Sequence, residues 1–227
     1  MGHIDPEAYD AWYQTPFGAL CHRLERDALF SLADFKRGEN VLDAGCGTGI
    51  YLAELIRIGV KPTGLDQDEA MLDFAANAKG LGSMLVKGPL VPLPFESHAF
   101  DKVLCVCTLE FVTQPEEAIC EMEGVLRPGG ILLLGFLNGN SSWAELRLEK
   151  AKDPSSVWHG VRFYTLAEIT GLAEKCGLRP RGFRSAVHFP LESKNIATDA
   201  LEALDSEGMA RSPFAAAFIA AAFSKSG

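Results

Sequence analysis

A short glycine-rich segment between an apolar strand and an amphipathic helix carries the clearest chemistry in this chain. An acid, Asp43, is followed there by glycines at alternate positions, Gly45, Gly47 and Gly49. Glycines let the backbone turn tightly and approach a ligand without a Cβ in the way, and the helix that follows offers free N–H groups to an anion. The segment predicts a loop that binds a nucleotide-like cofactor.

Two classes of cofactor use a glycine turn of this kind, and Asp43 helps to distinguish them. Dinucleotide-binding folds place the third glycine one residue later, where this chain has Ile50. A carboxylate just ahead of the glycines would repel a pyrophosphate, whereas it suits a ligand that carries an ammonium and a sulfonium. The loop therefore favours S-adenosylmethionine, and an NAD-dependent oxidoreductase is the weaker alternative.

At these residues the chain resembles the class I, seven-stranded S-adenosylmethionine-dependent methyltransferases, especially their small-molecule type 11 and ubiquinone-biosynthesis-like branch. The resemblance is strongest over residues 38–138. It implies transfer of a methyl group to an O, N or C nucleophile of a small-molecule acceptor, with S-adenosylhomocysteine as the product. A second hypothesis is a catalytically silent module that binds either compound, because no general base is evident and Pro89 replaces an acid of the family pattern.

Further candidates for the cofactor site follow the later strands. Asp66 lies about 20 residues beyond the glycine turn, the spacing at which an acid accepts from ribose hydroxyls, while Asp68 is the better cap for the next helix. Pro89 removes a donor, so the Leu90 amide is left to contact adenine. The expected cofactor contacts are Asp43, Ala44, Gly45, Cys46, Gly47, Gly49, Asp66, Gln67, Leu90, Cys105 and Val106, with Tyr9 and Tyr13 as an aromatic cover.

Candidates for the acceptor side and for catalysis are less specific. Methyl transfer mainly requires alignment and exclusion of water, so no universal catalytic residue is expected. If a hydroxyl is methylated a base helps, and His159 and His188 fall in segments expected to face the substrate, although surface or packing roles are commoner for such histidines. The expected substrate contacts are Trp12, Glu110, Phe111 and Trp143.

The six cysteines are scattered, without a C-x-x-C pair or a histidine at metal spacing. We therefore expect reduced thiols and no metal site. Cys105 and Cys107 lie two residues apart on an apolar strand, which predicts that their side chains share one face of it.

The order of the elements must position these residues. Strand and helix patterns alternate, which predicts an α/β fold: a doubly wound, mostly parallel seven-stranded sheet with helices on both faces. We expect a single domain over residues 1–227. Its predicted parts are an N-terminal helical cover (1–35), a cofactor-binding core (36–138), an inserted lid (139–165) and a C-terminal helix with a strand pair (166–227).

Composition limits the partners. A net charge of −9 without a run of Lys and Arg argues against nucleic acid. No apolar stretch reaches the roughly 20 residues of a membrane span, and a signal-peptide pattern is lacking, so a cytoplasmic location is expected. The sequence leaves open which atom of which acceptor is methylated, and whether the protein is a monomer or a homodimer.

Overall fold

Strands and helices alternate along the chain in the computed structural model, which describes residues 4–227. The strands β1 to β7 are Asn40–Ala44, Lys61–Asp66, Leu85–Lys87, Phe100–Val106, Leu126–Leu137, Arg179–Ala186 and Phe218–Ser224. The helices α1 to α8 are Pro6–Gln14, Pro16–Phe30, Ile50–Arg57, Glu69–Lys79, Pro115–Val125, Ser142–Lys150, Leu166–Lys175 and Thr198–Arg211.

All seven strands form one sheet in the order β3-β2-β1-β4-β5-β7-β6, and β7 runs antiparallel to both of its neighbours. This confirms the predicted doubly wound, mostly parallel sheet. The strand order reverses between β1 and β4. In open sheets of this kind ligands bind beyond the carboxyl ends of the strands at that switch point, where the glycine loop lies.

Both faces of the sheet are buried, as a parallel sheet requires. Neighbouring residues of β1 pack in opposite directions: Leu42 faces the layer that contains α5 and α7, and Val41 faces the layer that contains α2 and α3. The second layer is completed by α6, whose Trp143 belongs to the same core cluster. The site residues that face α2 are therefore enclosed between the sheet, α1, α2 and α6.

The helix cap predicted at Asp68 depends only on residues close to it in sequence, and it is confirmed. Asp68 caps α4 and accepts hydrogen bonds from the amides of Ala70 and Met71. This cap leaves the carboxylate of Asp66 available for another role, as predicted.

Two features differ from the prediction. Cys120 on α5 and Cys176 after α7 are joined in a disulfide, with Cα atoms 5.0 Å apart, so reduced thiols were wrongly expected for this pair. Their separation of 56 residues gave no spacing signal, and the packing of α5 on α7 brings them together. Helix α8 was not predicted, because its buried residues are Leu201 and Asp205 and it lacks a clear apolar stripe.

Within residues 4–227, no helix is both long and apolar enough to cross a membrane. The same part of the chain contains no group of three His, Cys, Asp or Glu side chains placed to hold a metal ion.

Candidate functional site

The glycine loop is fixed by backbone contacts at the ends of β2 and β4. The amides of Gly45 and Cys46 both donate to the carbonyl of Leu65, at 2.7 and 2.9 Å. Gly45 has a φ of +83°, and a Cβ there would lie 2.3 Å from Cγ2 of Thr108. The hydroxyl of Thr108 in turn donates to the carbonyls of Val106 at 3.0 Å and Gly45 at 3.3 Å. Only glycine fits this position, and the loop holds its shape without a ligand.

Asp66 connects the loop to the next helix. Its Oδ2 accepts from the amide of Gly47 at 2.8 Å, and its Oδ1 accepts from the amide of Asp68 at 2.9 Å. Each carboxylate oxygen can accept a second hydrogen bond, so ribose hydroxyls could be bound without breaking the first ones. The carboxylate thus lies beside the glycine loop, where the sequence placed a ribose ligand.

Asp43 is a buried acid without a counter-charge. Its side chain is 2% exposed, and Oδ2 has no hydrogen-bond donor within residues 4–227. Burial, and then the charge of Asp66, raise the pKa of this carboxyl to about 7. A buried carboxyl oxygen without a partner is unfavourable, and a cationic ligand group beside it would remove that cost. These residues fit a cofactor that carries an ammonium or a sulfonium, and they do not fit a pyrophosphate.

Helix α1 lies across the loop. Asp10 accepts from the hydroxyl of Thr48 at 3.2 Å and forms an ion pair with Lys79 on α4. On the same helix the hydroxyls of Tyr9 and Tyr13 are 3.0 Å apart, and both side chains are half-buried. The predicted N-terminal cover begins at residue 1, three residues before the described part of the chain. Sequence reasoning missed Asp10, although it lies inside the aromatic run that signalled the cover.

The adenine side is less defined. The amide of Gly88 donates to the carbonyl of Asp66 at 3.0 Å, which brings the chain after β3 beside the ribose position. Leu90 is half-buried and packs against the α5 side of the core, while Gln67 is exposed. Their contacts with adenine stay predictions.

The side chains at the end of β4 pack on different faces of the sheet. Cys105 is 1% exposed and packs on the α5 side, whereas Val106 and Cys107 pack on the α2 side. The expectation that Cys105 and Cys107 share a face was wrong, because β4 ends at Val106 and Cys107 adopts a φ of +49°. Val106 and Cys107 are the residues of this strand end that face the enclosed layer.

Glu110 is the second buried acid of the site. Its Oε1 accepts from the amide of Leu137 at 2.6 Å, and its Oε2 has no donor within the described residues. Burial raises the pKa of this carboxyl to about 7. The adjacent Phe111 is half-buried. Glu110 thus links the turn after β4 to the end of β5 and keeps one oxygen unpartnered.

The lid predicted for residues 139–165 contains α6 and the turns after it. Trp143 is 4% exposed, donates from Nε1 to the carbonyl of Phe189 at 2.7 Å and stacks on Phe17, with ring centroids 6.0 Å apart. Trp12 is half-buried in the same core cluster and contacts Tyr13 edge to face. Both tryptophans have packing positions, and their contact with an acceptor stays a prediction.

The two candidate histidines lie outside this enclosed group. His159 is exposed, and its Nδ1 lies 3.0 Å from the carbonyl of Ala151 after α6. His188 is half-buried, with Nε2 3.1 Å from the hydroxyl of Ser185, and its ring packs against Gly208 of α8. Neither position favours a role as a base over a structural one.

Sequence reasoning also missed Glu25 on α2 and Arg147 on α6, which face the enclosed layer. Burial raises the pKa of Glu25 to about 8, opposed by the positive charge of Arg147. The available signal was helical spacing, since Arg147 follows Trp143 by one turn and Glu25 follows Cys21 by one turn.

Comparison with known proteins agrees with this geometry. Residues 42–134 match the type 11 family described as a methyltransferase domain. An uncharacterised protein of Mycobacterium tuberculosis is 35% identical over 186 residues; the match covers 82% of this chain, and the chain spans 62% of that relative's length.

Two further relatives carry descriptions of an activity. A ubiquinone biosynthesis O-methyltransferase of Coxiella burnetii is 26% identical over 70% of this chain and 71% of that protein. The crystal structure of a SAM-dependent methyltransferase from Thermotoga maritima has a TM-score of 0.73 and 23% identity, covers 96% of this chain and 95% of that one, and so shares the fold. Residues 42–134 therefore match the type 11 methyltransferase-domain family, and the described chain has the fold of the class I S-adenosylmethionine-dependent methyltransferases.

Proposed function

We propose that this protein transfers a methyl group from S-adenosylmethionine to a small-molecule acceptor by in-line displacement, an activity of the EC 2.1.1 class. The observation that carries the proposal is the unpartnered Oδ2 of Asp43, buried beneath the glycine loop at the switch point. When bound, the cofactor supplies a methyl group on a sulfonium that needs no further activation. The protein has to align the acceptor with that methyl group and exclude water.

Each residue of the loop region has a role in this proposal. Asp43 pairs with the ammonium group, and Asp66 accepts from the ribose hydroxyls while it keeps the amide of Gly47 in place. Tyr9 and Tyr13 cover the loop from α1, where Asp10 holds the helix to Thr48. The hydrogen bonds of the loop amides within the protein keep this arrangement in one shape before the ligand arrives.

A small acceptor is favoured by the enclosure of the site. Glu110 is 2% exposed, and Trp143 of α6 and Trp12 of α1 pack in the core cluster on the α2 side, which leaves little room for a folded macromolecule. The net charge of −9 weighs against RNA. The description of the Coxiella burnetii relative supports a small molecule as well. Where the acceptor must lose a proton, Glu110 suits the task of a base better than His159 or His188, because a pKa of about 7 matches neutral conditions.

Calorimetric titration with S-adenosylmethionine, S-adenosylhomocysteine and NAD tests the cofactor assignment. We expect the first two to bind and NAD not to bind. Asp43→Asn and Asp66→Ala should each weaken binding by at least about thirtyfold, since each removes a charged partner from a buried contact. Asp68→Asn is the matched control, because asparagine caps a helix equally well and binding should be unchanged.

Turnover to S-adenosylhomocysteine is then followed with phenols, amines and organic acids, beside protein and tRNA acceptors. Methylation of a small molecule supports the proposal. Binding of NAD instead of S-adenosylmethionine would refute it, and cofactor binding without turnover on any acceptor would indicate the catalytically silent module.

A further inference from the structure

Helices α2 and α6 meet at Phe17 and Trp143, which belong to the core cluster of the enclosed layer. The two rings stack with an angle of 8° between them. One turn further along each helix come Cys21 and then Glu25 on α2, and Arg147 on α6. Burial raises the pKa of Glu25 and of Cys107 and the charge of Arg147 opposes this rise, so the guanidinium lies near both, on the side of the sheet that Val106 and Cys107 face.

Arg147 is held in a fixed orientation by aromatic rings. Its Cζ lies 5.0 Å from the ring centroid of Trp143 and 4.6 Å from that of Trp158. Rings that cover the faces of a guanidinium leave its N–H edge as the part that can bind a ligand. On that edge Nη1 is buried and has no acceptor within residues 4–227. The two indole rings offset part of the cost of burying this charge, but a buried donor without an acceptor remains unfavourable.

Neither nearby acid accepts a hydrogen bond from Nη1 of Arg147 within residues 4–227. Burial raises the pKa of Glu25 to about 8, so this carboxyl is mostly protonated at neutral pH. Glu110 commits Oε1 to the amide of Leu137, and burial raises its pKa to about 7. An acceptor for Nη1 of Arg147 can therefore come from a bound ligand.

Electrostatic effects on Tyr9 and Cys107 connect the guanidinium of Arg147 with Asp43, the carboxylate on the cofactor side of the site. Burial raises the pKa of the Tyr9 hydroxyl, and the charges of Glu25 and Asp43 raise it further. The thiol of Cys107 is perturbed by Glu110, Glu25 and Arg147 in addition to its burial. Tyr9 is thus near Asp43 and Cys107, and Cys107 is near Arg147.

We propose that Arg147 binds a carboxylate of the methyl acceptor, so that the substrate is an organic acid whose nucleophile faces the methyl group beyond β4. The inference rests on the proposed function. A planar carboxylate matches the N–H edge of a guanidinium in a bidentate contact, and the same positive charge disfavours an amine acceptor that enters as a cation. Trp158, half-buried beside Arg147, offers an apolar surface to the body of the acid.

Binding of acids to the protein saturated with S-adenosylhomocysteine tests this without turnover. Acetate, benzoate, 4-hydroxybenzoate and cinnamate are each compared with the matching neutral amide, by calorimetry and by tryptophan fluorescence. We expect at least one acid to bind about tenfold or more tightly than its amide. In Arg147→Gln that preference should disappear, and in Arg147→Lys, which keeps the charge without the fork, it should fall severalfold.

Arg162→Gln is the matched control, because Arg162 also lies over an aromatic ring, that of Tyr164 at 4.8 Å, but is exposed and paired with Glu168. It should keep the preference for acids. The inference is overturned if no acid binds better than its amide, or if a folded Arg147 variant keeps the preference. If S-adenosylhomocysteine itself does not bind, the proposed function fails, and this outcome is distinguishable from failure of the acid preference alone.

Discussion

The glycine loop and helix α6, which lies in the segment predicted to be a lid, are held by different kinds of contact. The loop is held through its own backbone groups, whose amides donate to the carbonyl of Leu65 and the carboxylate of Asp66. Helix α6 is held by side chains, through Trp143 on Phe17 and Arg147 against two indole rings. The loop contributes backbone groups to these contacts, whereas the contacts of α6 are made by its side chains and can be exchanged by substitution. The loop is therefore suited to an invariant cofactor and the lid to a particular acceptor.

The charges of the two regions differ as well. Within residues 4–227, the loop region leaves Oδ2 of the buried Asp43 without a partner, and α6 leaves Nη1 of the half-buried Arg147 without one. A cationic cofactor on one side and an anionic acceptor on the other would satisfy both. The following experiments test this contrast.

The largest expected effect is on how the free energy of unfolding depends on pH in the protein without cofactor. Asp43 keeps its proton up to about pH 7 in the folded state and loses it near pH 4 when unfolded, so its contribution to stability is present below pH 4 and is lost as the pH rises to 7. The loss amounts to at most about 4 kcal/mol. Urea unfolding from pH 4 to 8 should show a smaller decline in Asp43→Asn.

Glu110 and Glu25 have pKa values raised in the same direction, so part of the decline should remain in that variant. Asp68→Asn is the control, and its free energy of unfolding should decline between pH 4 and 8 as much as that of the wild type. If the free energy of unfolding fell equally with pH in the wild type and in Asp43→Asn, burial would not raise the pKa of Asp43 as described.

The next effect concerns the backbone of the loop. Gly45→Ala places a Cβ 2.3 Å from Thr108, in addition to a φ of +83°, whereas Gly47→Ala has a φ of +51° and nothing within 4 Å of its Cβ. We expect a loss of about 2–4 kcal/mol for the first substitution and about 1 kcal/mol for the second. Urea unfolding of both variants measures the difference. Equal losses would mean that Thr108 does not clamp the loop.

The smallest effect concerns the lid. Trp143→Phe removes the bond to the carbonyl of Phe189 and leaves that buried group unpaired, at a cost of about 1–3 kcal/mol. Trp158→Phe retains an aromatic ring at a half-buried position and should cost less than about 1 kcal/mol. Thermal unfolding of the two variants checks the order. A larger loss at Trp158 would contradict the anchoring role of Trp143.

The parts of the molecule that sequence reasoning missed depend on contacts between distant segments. The disulfide joins α5 to the end of α7, and neither Cys120 nor Cys176 has a neighbour in sequence that signals the pair. Cys107 leaves the face predicted for it because the strand ends one residue earlier, which a period of two cannot reveal. Arg147 reads as an ordinary helical arginine until α6 is packed against the turns that carry Trp158.

The sequence by itself determined the sheet, the glycine loop and the cap at Asp68, because each depends on residues close together in the chain. The sheet follows from the alternation of strands and helices, and the loop from glycines at fixed spacing. The cap follows from an acid placed just before the free amides of a helix. Tertiary structure alone decided which polar atoms are left without partners. Whether Asp43, Glu110 or Arg147 finds a partner depends on burial and on segments more than 20 residues away, and these are set only when α1, α2 and α6 close over the sheet.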